Sequence, residues 1–173
     1  MLDIIIVGIL ILVTGISAYT DYKEGKIKNI ICLGAVIFGI SINLYINGIA
    51  GAIFSIKGIL IPFAVLFILF AIRAFGAGDI KLLCGIGAIM GWQFAIDNFC
   101  IAMIVSLVFI VFTGLLNKEL FKRVKRLFSI LKMMILFKSF DVDKDFEERK
   151  TLAFGVSIFI AMIVQIIFKV ELI

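Results

Sequence analysis

The chain has 173 residues, 64% of them in the hydrophobic class, and a mean hydropathy of +1.25. A soluble domain of this length could not bury so much apolar surface, so the composition predicts a single membrane-embedded domain over residues 1–173. The absence of histidine excludes Ser-His-Asp, Cys-His and histidine-metal chemistry, and the net charge of +5 is better explained by a membrane surface than by nucleic acid.

A membrane-spanning helix needs about 20 mostly apolar residues, and the sequence offers six such segments. In chain order they are Leu2–Thr20, Ile30–Ile49, Lys57–Ile72, Ile80–Ile96, Phe99–Leu116 and Thr151–Phe168. The first is too long, and too poor in basic residues at its start, for a signal peptide. Pro62 is expected to kink the third. We therefore predict an all-α, polytopic membrane protein of about six transmembrane helices.

Lysine and arginine are distributed unevenly over the connections between these segments. Connections one, three and five hold nearly all of them, whereas the opposite side holds Lys57 and Lys169. The positive-inside rule places the basic connections in the cytoplasm. The sequence thus predicts a multi-pass protein of the cytoplasmic membrane with both termini outside.

The fifth connection, residues 118–150, is long and strongly charged. Apolar residues recur at steps of three and four in Lys118–Phe140, with basic residues between them. This pattern predicts a cytoplasmic amphipathic helix on the inner leaflet. A re-entrant segment around Ile130–Phe140 is an alternative, and Asp141–Glu148 is expected to be a solvated loop.

Two aspartates stand at predicted helix ends on the same, cytoplasmic side. Asp21 follows the first helix and Asp79 begins the fourth. If the helices pack together, two neighbouring carboxyl groups can share one proton: the ionised one activates water and the protonated one polarises a carbonyl group. This chemistry requires no metal and no cofactor. Alternatively, Asp79 only caps a helix N-terminus.

The residues around Asp79 form a GxGD motif. Gly76 and Gly78 remove side-chain bulk beside the carboxylate and permit unusual backbone angles, so that an extended peptide could approach. Lys81 either favours the ionised form of a nearby carboxylate or reaches from the membrane towards the interface. We therefore predict Gly76, Gly78 and Lys81 as supporting residues.

These motifs resemble those of the type IV prepilin peptidases, the GxGD aspartic proteases of pilus and related secretion systems. Residues 17–29 are similar to the family's first aspartate and its Ile-Pro-Asn element, with Lys28 in place of proline. Residues 78–92 resemble the second motif, and Leu152–Ser157 resembles the small-residue start of the last helix. The resemblance implies that Asp21 and Asp79 are the catalytic pair. It also implies a prepilin-like membrane precursor as substrate, whose basic leader is removed at the cytoplasmic face of the bilayer.

One departure from many relatives concerns methylation. The chain has no CxxC motif and no room before Asp21 for the segment that carries N-methyltransferase activity. We expect a short form with peptidase activity alone, and Cys32, Cys84 and Cys100 are expected to be small buried side chains. A small membrane transporter component, or a catalytically inactive pilus-assembly factor, remains an alternative function.

Overall fold

The computed structural model describes residues 2–71, 75–116 and 154–171, and within them every regular element is an α-helix. The helices are α1 (Leu2–Glu24), α2 (Asn29–Ala71), α3 (Ala77–Met90), α4 (Trp92–Leu116) and α5 (Phe154–Glu171). The all-α prediction is confirmed for these residues. The predicted amphipathic helix and the acidic loop of connection five lie outside them.

Among the described residues, three helices are long and apolar enough to cross a membrane. The candidate spans are Ile5–Glu24, Asn29–Ala71 and Trp92–Phe112, and Phe154–Phe168 is a shorter apolar helix. The predicted count of six spans is not confirmed. At about 1.5 Å per residue, the 14 residues of α3 extend only about 21 Å, less than the roughly 30 Å of a hydrocarbon core.

The predicted fourth helix, Ile80–Ile96, is wrong in its second half. The helix ends at Met90, because Gly91 has a φ of 93° that ends regular helix geometry, and residues 92–96 begin α4 instead. Both flanking segments are apolar, so hydropathy carries no signal of this boundary.

Helix α2 doubles back on itself at Gly48, where φ is 60° and ψ is −142°. The Ser55 hydroxyl lies 3.1 Å from the Gly39 carbonyl oxygen, although 16 residues of continuous helix would separate them by about 24 Å. The two halves of α2 therefore correspond to the second and third predicted helices. Gly48, rather than the expected Pro62, is the position where α2 departs from helical angles.

The core is centred on α3, which packs against both halves of α2. Leu82, Leu83 and Ile86 are almost completely buried. A Cβ atom at Gly58 would overlap the Gly87 backbone, so the helices approach as closely as glycine allows, as is common between membrane helices. The buried Asn43 amide donates to the Ser55 hydroxyl at 3.0 Å and to the Ala88 carbonyl at 3.1 Å. These contacts fix α3, and with it the position of Asp79.

Candidate active site

Asp21 lies near the end of α1, one turn before the chain leaves the helix. Gly25 stops α1 with a φ of 66°, and its amide donates to the Asp21 carbonyl at 2.9 Å. The half-buried Asp21 carboxylate turns towards α5, where its Oδ2 atom accepts a hydrogen bond of 2.8 Å from the Gly155 amide. Asp21 thus touches the N-terminus of a helix 134 residues further along the chain.

Asp79 is the third residue of α3, at the same end of the bundle. Its Oδ2 atom accepts a hydrogen bond of 3.2 Å from the amide of Gly76, the N-cap residue. Burial, and then the negative charge of Asp21, raises the pKa of Asp79 to about 7, although the Gly76 hydrogen bond opposes the shift. The fold therefore places the two predicted aspartates, which belong to different helices, close enough for the charge of Asp21 to act on Asp79.

The glycines of the GxGD motif serve close packing. Gly76 has a φ of −75° and a ψ of 149°, so the expectation of an unusual backbone angle is wrong there. A Cβ atom at Gly76 would lie 3.2 Å from Asp79 Oδ2, and one at Gly78 would lie 3.1 Å from Ile27 Cβ. Both glycines leave room for a neighbour rather than adopting a conformation that only glycine allows.

Lys81 links the segment that follows Asp21 to the motif that contains Asp79. Its Nζ atom donates to Asn29 Oδ1 at 3.0 Å, in an exposed position at the start of α2. Beside it, the buried Ile27 packs on Gly78. Lys81 and Ile27 together tie the segment after Asp21 to the first turn of α3.

Three phenylalanines hold the two helix N-termini side by side. Phe75 contacts Phe154 edge to face with ring centroids 4.8 Å apart, and Phe99 of α4 lies 5.3 Å from Phe75. Phe75 directly precedes Gly76 and Phe154 directly precedes Gly155. This aromatic cluster therefore fixes the two backbone amides that bind Asp79 and Asp21.

Gly155 is the residue of this site to which the sequence assigned no role. The only signal was the small-residue start of the last helix, Leu152–Ser157. A Cβ atom at Gly155 would lie 2.9 Å from Asp21 Oδ2 and 3.0 Å from Asp21 Cβ. A side chain at position 155 would therefore prevent Asp21 from approaching this closely.

Other polar features of the described residues do not belong to this site. No group of three or more potential metal ligands occurs among them. Cys32 and Cys84 are buried as predicted, whereas Cys100 is exposed. Two shallow grooves between α4 and α5 share Asp97, Gln165 and Phe168. Gln165 is ten residues beyond Gly155, about 15 Å along α5, so the grooves lie away from the aspartates.

Within the described residues, the fold and the site define a helical membrane protein with two interacting aspartates at neighbouring helix ends. The sequence profile of the Type IV leader peptidase family matches residues 6–111, which is more than half of the chain and includes both aspartates. The chain belongs to this family, and is therefore a protease of the leader peptidase type. No curated protein and no solved structure matches it significantly.

Proposed function

We propose that the protein is an aspartic endopeptidase that removes the basic leader peptide from prepilin-like precursors. Asp21 and Asp79 are its catalytic residues, and Gly76, Gly78 and Lys81 support them. The observation that carries the proposal is that the two carboxyl groups lie on different helices at the same end of the bundle, where burial of Asp79 and then the negative charge of Asp21 raise the pKa of Asp79 to about 7. Such a pair holds one proton near neutral pH.

The pair supplies both groups that water-mediated peptide hydrolysis needs. The ionised aspartate removes a proton from water while its oxygen attacks the scissile carbonyl carbon, and the protonated aspartate donates a hydrogen bond to the carbonyl oxygen. The proton then passes to the leaving nitrogen as the carbon–nitrogen bond breaks. One water molecule is consumed, and the products are a carboxylate and an amine.

The location of the cut follows from the charge pattern. Lys23, Lys26, Lys28 and Lys81 lie at the end of the bundle that contains Asp21 and Asp79. The positive-inside rule places this end in the cytoplasm and both termini outside. The precursor's apolar helix would stay in the bilayer while its leader reaches the site. Cleavage would serve pilus assembly or type II/IV secretion-type assembly.

Processing of a co-expressed prepilin-like precursor tests the proposal. Asp21→Asn and Asp79→Asn should each abolish the gel shift that marks leader removal, while membrane insertion is retained. Asp97→Asn is the matched control, because this exposed aspartate lies at the start of α4, beside the grooves and away from the pair. Normal processing by either Asp21→Asn or Asp79→Asn would contradict the assignment.

A further inference from the structure

Gly155, which donates a hydrogen bond to Asp21, lies outside both aspartate motifs and outside the matched range 6–111. The hydrogen bond is 2.8 Å long, a normal length for an amide that donates to a carboxylate oxygen. The donor is one of the first amides of α5, which have no partner within their own helix. A helix N-terminus also carries partial positive charge, which favours an anion over a neutral carboxyl group.

The carboxyl groups of the two aspartates accept hydrogen bonds from different parts of the fold. Asp79 accepts a longer bond, 3.2 Å, from Gly76 of its own helix. Asp21 accepts its bond from another helix, whose N-terminus can approach only because residue 155 has no side chain. Two close carboxylates resist ionising together, so these surroundings decide which of them keeps the proton.

We propose that Gly155 is a positioning residue whose amide holds Asp21 as the ionised, proton-accepting member of the pair, leaving the proton on Asp79. This inference rests on the proposed function, because it assigns the two roles within the same hydrolysis. Water then loses its proton to Asp21, and Asp79 donates its hydrogen bond to the carbonyl oxygen. The proton on Asp21 finally leaves with the amine product.

Several other titratable groups lie near Asp21. They are Tyr19, Tyr22, Lys23 and Glu24 on α1, Lys26 and Lys28 in the connection, Cys32 on α2, and Asp79, Lys81 and Cys84 on α3. Glu24 pairs with Lys28 at 3.1 Å, and Lys81 bonds to Asn29. The first turn of α5 carries no charged side chain, so α5 acts on Asp21 through the backbone amide of Gly155.

Gly155→Ala tests the inference, since the added Cβ atom displaces Asp21 from the amide while alanine favours the helix. Loss of one charge-assisted hydrogen bond should reduce kcat about 10- to 100-fold near neutral pH with KM nearly unchanged. The acidic limb of the pH–activity profile should move to higher pH, because Asp21 then keeps its proton longer. Gly34→Ala is the matched control, as it faces open space on α2. An unshifted acidic limb in Gly155→Ala contradicts the inference.

Infrared difference spectroscopy provides a second readout that is independent of turnover and of the folding of Gly155→Ala. At about pH 6, the signal of a protonated carboxyl group should be present in the wild type and in Asp21→Asn, and absent from Asp79→Asn. The reverse pattern overturns the assignment of the proton. Failure of the wild type to cleave any precursor would instead contradict the proposed function, so the two failures can be told apart.

Discussion

At the scale of single residues, the raised pKa of Asp79 makes the stability of the protein depend on pH. Its pKa is raised from an ordinary value of 3.8 to about 7. Between these values the folded protein holds a proton that the unfolded chain has lost, so the free energy of unfolding falls as pH rises. The slope is about 1.4 kcal/mol per pH unit at most, and it vanishes above the folded-state pKa.

Thermal unfolding in detergent micelles, measured from about pH 4 to about pH 8, should reveal this slope in the wild type. Asp79→Asn should have a flatter stability profile, because asparagine does not titrate and fills the same space. Asp97→Asn, at an exposed position, should retain the wild-type slope. Equal slopes in Asp79→Asn and the wild type would show that Asp79 is not held protonated by the fold.

A comparison of Asp21 and Asp79 with Gly155 shows which site residues a sequence can reveal. Asp21 and Asp79 stood out because a carboxylate beside an apolar helix is costly and needs a reason. Gly155 did not, because its contribution is a backbone amide, which every residue except proline possesses. Its steric role depends on a neighbour 134 residues away, and only the packed structure reveals that distance.

At the scale of helices, the reversal of α2 depends on one glycine. Gly48 combines a φ of 60° with a ψ of −142°, close to a region that is essentially restricted to glycine. A Cβ atom there would contact nothing within 4 Å, so backbone strain is the only cost of a side chain. Gly34 lies on the same helix, also faces open space, and has no positive φ.

This contrast predicts opposite effects of the same substitution. Gly48→Ala should lower the free energy of unfolding by about 1–3 kcal/mol, whereas Gly34→Ala should leave it unchanged or raise it by up to about 1 kcal/mol. Denaturant titration followed by circular dichroism measures both. A Gly48→Ala variant as stable as Gly34→Ala would mean that the turn does not need this backbone conformation.

Helix existence was predicted better than helix length. The two halves of α2 match two predicted segments because Ile30–Ile49 and Lys57–Ile72 are strongly apolar. The boundary at Gly91 escaped prediction because it is set by a φ of 93° within an apolar stretch. Pro62 suggested a kink, yet it is buried within helical geometry. Backbone conformation at single glycines, rather than hydropathy, decides where these helices stop.

At the scale of the whole molecule, composition was sufficient to identify a membrane protein, since apolar side chains far exceed what a small core could bury. It was not sufficient to count the spans. The segment called α3 is shorter than a bilayer is thick and is buried by its neighbours, so its apolar residues face protein. Hydropathy alone does not distinguish a buried helix from one that faces lipid.

The carboxyl pair is likewise a property of the whole molecule. Asp21 and Asp79 are 58 residues apart on different helices, and α2 and α5 both contribute contacts that bring them together. Groups that act as one catalytic unit show strongly non-additive losses when they are removed singly and together. Neither aspartate should therefore retain useful activity without the other.

The decisive measurement is kcat/KM for a purified precursor with the wild type, Asp21→Asn, Asp79→Asn and the double variant, all reconstituted in lipid vesicles. We predict that each single variant loses nearly all turnover and that the double variant is no worse than either. Substantial turnover in one single variant, or losses that simply multiply in the double variant, would contradict a shared catalytic role for Asp21 and Asp79.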